Sequence, residues 1–363
     1  MRKDFDVRQE NKRLVFLVGS FKIFAFLSLI SVFDSCRKEA ANKFKGSNDT
    51  TYTALTDTGS NTPGATMVSS MFIDTVLNLS FTASAPIMLS NAHDIVIRGI
   101  STSRITLFNC SNITIKKCKI GPNSQSGINI SYCTNINIDS CYISNVSTGV
   151  YAGDSQMISV TNCQAKNMLG PFPEGQFVQF KKVSGGGNKV SFNKFENILG
   201  QSYTEDAVSM YACNGLPGDP IVIESNWLRG GGPSKSGGGI MLGDGGGSNM
   251  IAKNNFLVDP GQYGMAVSGG TYISIINNTI YAKAQSFTNV GLYYRNYSGP
   301  PSFNIVITKN AVNFSNSNNQ VNNTLLGPGD PAPKGWNGNF YNAGLDETLL
   351  PANIVAGSIF GSQ

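Results

Sequence analysis

The sequence predicts an all-β solenoid, a chain of short strands wound into stacked coils with decorated turns and capped ends. Three observations carry this. The pattern apolar-x-apolar-x-x-Z recurs eight times. It stands in ITIKKC (113–118), INIDSC (136–141), ISVTNC (158–163), VSFNKF (190–195), IVIESN (221–226), MIAKNN (250–255), ISIINN (273–278) and IVITKN (305–310). A second strand pattern runs in step, from GINIS (127–131) through GVYAG (149–153), FVQFK (177–181), AVSMY (207–211), GIMLG (239–243) and GMAVS (264–268) to GLYYR (291–295). Finally, 40 of 363 residues are Gly and only 13% are charged. That suits many short strands and turns, and it is too uncharged for a disordered chain.

Units of about 22 residues cannot bury an apolar face alone, but stacked as coils they bury a continuous core. The Z positions are Cys118, Cys141, Cys163, Phe195, Asn226, Asn255, Asn278 and Asn310, and they are expected to form one inward column. Asn side chains stacked at ~4.8 Å can hydrogen-bond from rung to rung. Cys110 and Cys133 fall in another column. The cysteines are expected to be small buried core residues, not metal ligands, because their spacings are coil lengths and not Cys-x-x-Cys. This pattern resembles the right-handed parallel β-helix of the pectin-lyase-like superfamily over about residues 85–315. The resemblance implies a single-stranded right-handed parallel β-helix and leaves the chemistry to the site. The β-helix is placed at residues 66–318, with residues 66–90 closing its first coil.

At the N-terminus, charged residues 1–13 precede an apolar run, residues 14–33, that Lys22 interrupts; Asp34-Ser35-Cys36 follows. This order reads as an export signal. Its end resembles a Bacteroidetes-type lipoprotein signal, although Phe33 and Asp34 depart from the usual residues. The resemblance implies a signal peptide over residues 1–36, lipidation of Cys36 and attachment to a membrane through that lipid. The expected location is the bacterial outer membrane, on its surface or periplasmic face; an uncleaved N-terminal anchor is the alternative. Residues 37–65, rich in Asn, Thr, Ser and Gly, read as a flexible tether. At the other end, residues 319–363 lose the repeat rhythm and read as a C-terminal cap. No coiled coil or other oligomerisation signature occurs, so a monomer is expected. The net charge of +5 lacks a clustered basic stripe, which argues against nucleic acid and is compatible with an anionic substrate.

Three consecutive coils between Cys163 and Asn255 are lengthened, by residues 166–176, 199–206, 212–220 and 229–239. Loops that lengthen on neighbouring coils build a wall, and a wall beside a sheet makes a groove. The last loop, RGGGPSKSGGG, is not a phosphate-binding loop, because Ser234 stands where that template needs Gly before Lys. Alternation along the second strand aims Asn129, Tyr151, Gln179, Ser209, Met241, Ala266 and Tyr293 outward. A further outward column holds Lys181, Tyr211, Gly243 and Arg295, with Asp244 beside it. Glu205 and Lys235, on turns of adjacent coils, are expected to approach each other.

Three chemistries fit these residues. The first is a polysaccharide lyase acting on a uronate-containing glycan by β-elimination. There Lys235 or Lys181 acts as base, Tyr211 moves a proton, and Arg229 pairs with the substrate carboxylate. The resemblance implies that Ca2+ can assist such a lyase, and Glu205, Asp206 and Asp244 are the candidate ligands. The second is a glycoside hydrolase, in which Glu205 or Asp206 pairs with Asp244. Hydrolases of the resembled superfamily that cut polygalacturonan carry Gly-His-Gly. The one histidine here, His93, lies far upstream and is given no role. The third is a non-catalytic glycan-binding β-helix, with Tyr151, Tyr293 and Tyr294 stacking on sugars. Gln179, Tyr151, Arg229 and Arg295 are the candidate substrate-binding residues. The lyase reading is placed first, and the sequence does not name the glycan.

Overall fold

A computed structural model describes residues 81–341 and 344–355. The expectations for the signal peptide, Cys36, the tether and residues 66–80 lie outside the described residues.

Each strand pairs in parallel with its counterparts one coil earlier and one coil later. Three columns result. The front sheet runs from Ile87–Ser90 to Thr324–Leu326, and the side sheet from His93–Arg98 to Val306–Thr308. The back sheet has 11 strands, from Thr82–Ala83 to Phe340–Tyr341. Front and side sheets are joined by one long strand, Ile240–Lys253, which belongs to both. Elsewhere the chain turns between them at a residue with positive φ, often Asn or Asp: Asn91 (52°), Asn109 (51°) and Asp154 (49°). Asn and Asp tolerate that left-handed conformation better than most residues.

The interior is mainly apolar. Ile113, Ile115, Ile136, Ile138, Ile158 and Val160 are all fully buried. Inward residues alternate with outward ones, as in Ser111–Lys116 and Thr134–Asp139, so the period-2 pattern of the sequence is the coil core. Cys110, Cys118, Cys133, Cys141, Cys163 and Cys213 are buried free thiols. Burial pushes the Cys213 thiol up to about 12, away from the reactive thiolate.

The polar column is longer than expected. Asn193, Asn226, Asn255, Asn278, Asn310 and Asn339 stand one per coil, all buried. In each step the next Asn's Oδ1 accepts both the backbone N–H and the Nδ2–H of the preceding one, as between Asn226 and Asn255 (3.0 and 2.9 Å). The Nδ2 group also donates to a strand carbonyl, Val190 for Asn226 and Ile223 for Asn255. In earlier coils thiols take the place of the amides. The Cys141 N–H points at Cys163 Sγ (3.4 Å), and the Cys163 N–H at Asn193 Oδ1 (2.9 Å). Two expectations are corrected here. Phe195 is not in this column; Ser159 pairs with Lys189, so the fourth copy is NKVSFN and Asn193 takes the place. The coil pattern also passes residue 318. Thr324–Leu326 extends the front sheet, Phe340–Tyr341 the back sheet, and Asn339 ends the ladder. The segment that caps the back sheet is later, around Glu347–Leu349.

Candidate active site

The lengthened turns lead into the front sheet at Asp206, Gly238 and Tyr263, which stand on three successive coils. The Gly238 N–H donates to Asp206 Oδ1 at 3.0 Å, and the Tyr263 hydroxyl donates to the same oxygen. The phenol reaches across the middle coil because Gly238 has no side chain. A Cβ there would stand 2.5 Å from the Tyr263 carbonyl oxygen and 2.6 Å from a ring carbon. Gly238→Ala is therefore expected to push Tyr263 off Asp206 and to cost about 1–3 kcal/mol by overpacking. Thermal melting and turnover measured on one preparation should fall together.

Glu205 and the Gly-rich loop form the next layer. Ser234 Oγ donates to Glu205 Oε2 (2.5 Å), and Ser236 Oγ to Oε1 (2.7 Å). The hydroxyls of Ser234 and Ser236 both turn onto Glu205 although Ser236 itself is exposed. Lys235 is exposed, and it makes no ion pair with Glu205. The expected Glu205–Lys235 contact is thus replaced by two serine hydroxyls.

Asp206 is 8% exposed. Burial, reinforced by the negative charges of Glu205 and Asp244, raises its carboxyl from 3.8 to about 7 against the pull of its two donors. Its Oδ2 has no hydrogen-bond partner among the described residues. That leaves one carboxyl oxygen able to carry and deliver a proton near neutral pH. Burial and then the Asp206 charge hold the Tyr263 phenol well above its usual range, so it remains a donor. Asp244 is half-buried, and burial raises its carboxyl too.

Asp244 reaches the front face through an irregularity that coil counting does not anticipate. Ser209 pairs with Met241, but Tyr211 pairs with Asp244, because an extra residue bulges between. Gly243, placed in that column by counting, takes φ 68° and packs against the Gly269 backbone instead. A bulge at such a place re-aims a side chain. Lys181 is in register with Tyr211, its ammonium 5.8 Å from the ring centroid. The Tyr211 ring lies over Gly245, and the Tyr151 ring over Gly153. Gln179 lies between Tyr151 and Ser209. Towards the C-terminal coils, the Tyr293 and Tyr297 hydroxyls meet at 2.7 Å and Arg295 stacks on Tyr297 at 4.6 Å. Ser209 and Ala266 point outward yet are covered. Tyr263 packs over this part of the face with Ala266, Val290, Met241 and Tyr293.

Three further expectations fail on geometry. Arg229 belongs to the back sheet, and its guanidinium donates to the carbonyls of Glu347 (2.6 Å) and Leu350 (2.5 Å). It fastens the C-terminal segment and does not face the groove. Tyr294 points into the core, 2% exposed. Glu205, Asp206 and Asp244 do not suit Ca2+: both Glu205 oxygens and one Asp206 oxygen already accept internal donors. No three His, Cys, Asp or Glu side chains among the described residues converge as a metal site. Conversely, Tyr263, Ser234 and Ser236 were missed. The signal for Tyr263 was available: it lies one coil from a glycine that itself lies one coil from Asp206.

Stacked parallel coils with a one-sided wall and a buried acid beneath it define a decorated β-helix. The chain belongs to the right-handed β-helix family: residues 87–280 match the family described as "Right handed beta helix region". A solved structure it resembles is the catalytic domain of a GH87 α-1,3-glucanase in complex with tetrasaccharides. Identity is 14%, the TM-score 0.38, and the likeness covers 71% of this chain and 59% of that one. The chain thus spans less than two thirds of that protein. No curated protein matches the sequence.

Proposed function

We propose that this protein is a glycan-cleaving enzyme of the hydrolase type, with Asp206 as general acid and Asp244 as the base or nucleophile. The observation that carries the reading is the Asp206 carboxyl, buried, held through one oxygen by Tyr263 and Gly238, with the other oxygen unpartnered. Two carboxyl groups in unlike surroundings are what acid-assisted glycoside cleavage needs. Asp206 protonates the leaving oxygen, and ionised Asp244 activates water or attacks the sugar carbon. The rings of Tyr151 and Tyr211, with Gln179, Tyr293 and Arg295, offer sugar-binding surface beside them. Release of reducing ends from a panel of neutral and uronate polysaccharides tests this. No release from any of them counts against it.

The lyase reading keeps one observation in its favour, the Lys181–Tyr211 stack next to Asp244. In that reading Lys181 takes the proton and Tyr211 assists the leaving oxygen, with neither Arg229 nor Ca2+. A rise at 235 nm on alginate, polygalacturonate or glucuronan, lost in Lys181→Ala, selects it. Attachment of the protein to the outer membrane through Cys36 is part of the same proposal. Metabolic labelling with a clickable fatty acid should mark the parent and not Cys36→Ser; equal labelling of both rules this attachment out.

A further inference from the structure

The first described coils carry a charge pattern that the groove does not use. Residues 81–120 hold five Lys and Arg and one carboxylate, Asp94, whereas residues 121–165 hold two carboxylates and no Lys or Arg. Positive charge therefore collects at the N-terminal end of the solenoid. Four of the five cations stand where the side sheet turns into the back sheet. Arg98 ends the strand His93–Arg98, and Lys116, in register with it, ends the next one. Lys117 makes the turn, with φ 51°, and Lys119 opens the back strand Lys119–Ile120. Stacking puts Arg98 one strand spacing, ~4.8 Å, from Lys116. The sequence showed no basic stripe because Arg98 joins the others only through that stacking. Arg98 and Lys119 are exposed, Lys116 and Lys117 partly so. None of the four makes an ion pair among the described residues. The neighbouring carboxylates are engaged elsewhere. Asp94, at the far end of its strand, bonds His93 (2.7 Å) and Asn112 (2.9 Å). Asp139 is in register with Lys116, but its oxygens accept from Ser140, Thr161 and Asn162. Like charges set opposite each other on paired strands repel, so this corner is relieved by an anionic partner. Val96, outward on the same strand as Arg98 and 47% exposed, adds an apolar spot beside the cations.

We infer that this corner is a docking surface for an anionic membrane, with Arg98, Lys116, Lys117 and Lys119 meeting the phosphates of lipid headgroups. The inference rests on the membrane attachment proposed above and deepens it. Cations set along a convex corner suit a broad phosphate-bearing surface. Among the described residues, these coils are also the nearest in sequence to Cys36. Each Lys or Arg near such a surface strengthens the attraction about fivefold, the equivalent of about 1 kcal/mol. Four of them hold at low salt and let go at high salt. The front sheet is the one sheet that does not meet at this corner. Docking there turns Asp206 and the groove away from the membrane, towards polymers in solution.

Amine labelling of the full chain on vesicles, read lysine by lysine by mass spectrometry, tests this. One set of vesicles holds phosphatidylethanolamine and phosphatidylglycerol, the other phosphatidylcholine alone. Expected is labelling of Lys116, Lys117 and Lys119 slowed about fivefold or more on the anionic set, with recovery at high salt. Lys235, exposed on a lengthened turn, should label alike on both. Arg98→Gln/Lys119→Gln removes the two exposed charges and disturbs no buried contact. It should lower the ratio of docked to free protein about 25-fold and restore labelling of Lys116 and Lys117. Equal labelling of the three lysines on both vesicle sets, or protection that survives both high salt and the double variant, overturns the docking surface. Equal protection by duplex DNA or polygalacturonate without vesicles overturns the membrane as its partner. Protection in Cys36→Ser as in the parent keeps the docking surface even if Cys36 proves to carry no lipid. A lipid on Cys36 with no protection of these lysines refutes docking and leaves the attachment standing.

Discussion

Asp206→Asn should reduce glycan hydrolysis by about 10²–10⁴-fold, the usual contribution of a placed acid, and should do so without weakening the fold. Asn keeps the Oδ1 that accepts from Tyr263 and Gly238 but cannot deliver a proton. The two effects have opposite signs for one reason. A carboxyl raised from 3.8 to about 7 binds more protons folded than unfolded. Its contribution to stability is whole below pH 3.8 and is lost as pH rises through 7. At 1.36 kcal/mol per pH unit this handicap reaches at most roughly 4 kcal/mol above pH 7. The variant, free of it, should melt at or above the parent temperature at pH 8. The parent's own activity should fall as pH rises through about 7, where Asp206 loses its proton. Thermal melts at pH 5 and 8, with a pH–rate profile, check both limbs. A variant that loses activity and melts far below the parent at pH 8 would reduce Asp206 to a structural residue.

The second large effect is expected at Asn255. Replacement by Ala strips the Asn226 N–H and Nδ2 of their acceptor and the Ile223 carbonyl of its donor, all in the buried interior. Buried unpaired groups cost about 1–3 kcal/mol each, so a total of about 3–5 kcal/mol is expected. Asn255→Cys should lose less, because Cys163 already accepts the Cys141 N–H in the same column. Coils open locally before the whole unfolds. Hydrogen exchange at the Asn226 amide is therefore the direct readout, faster in Ala than in Cys.

The coils were legible in the sequence because inward residues repeat with period 2 and the six-residue motif recurs at spacings of 22 to 32 residues. Where the repeat was misread, the cause was local. VSFNKF matched the pattern as well as NKVSFN did, and only the Ser159–Lys189 pairing separates them. Asp244 was found, but its place opposite Tyr211 depends on a bulge that counting cannot see. Glu205 and Asp206 were found as charges, but not their partners: Ser234, Ser236 and Tyr263 come from one and two coils away. Arg229 lies on the back sheet and Lys235 on an exposed loop, so neither stands where coil counting put it. A basic residue near an acidic one in coil numbering can lie on another sheet or point the other way.

The hydrogen bonds between coils run along the stacking axis, and each coil holds only its neighbours. A pull between the two ends of the protein therefore peels coils singly, as a zipper opens, instead of shearing whole sheets. Each released coil of 18 to 33 residues frees ~60–110 Å of chain at about 3.4 Å per residue. The thiol-lined coils, lacking amide cross-links, should yield before the Asn-lined ones, so forced extension should begin at the N-terminal end and stall near Asn193.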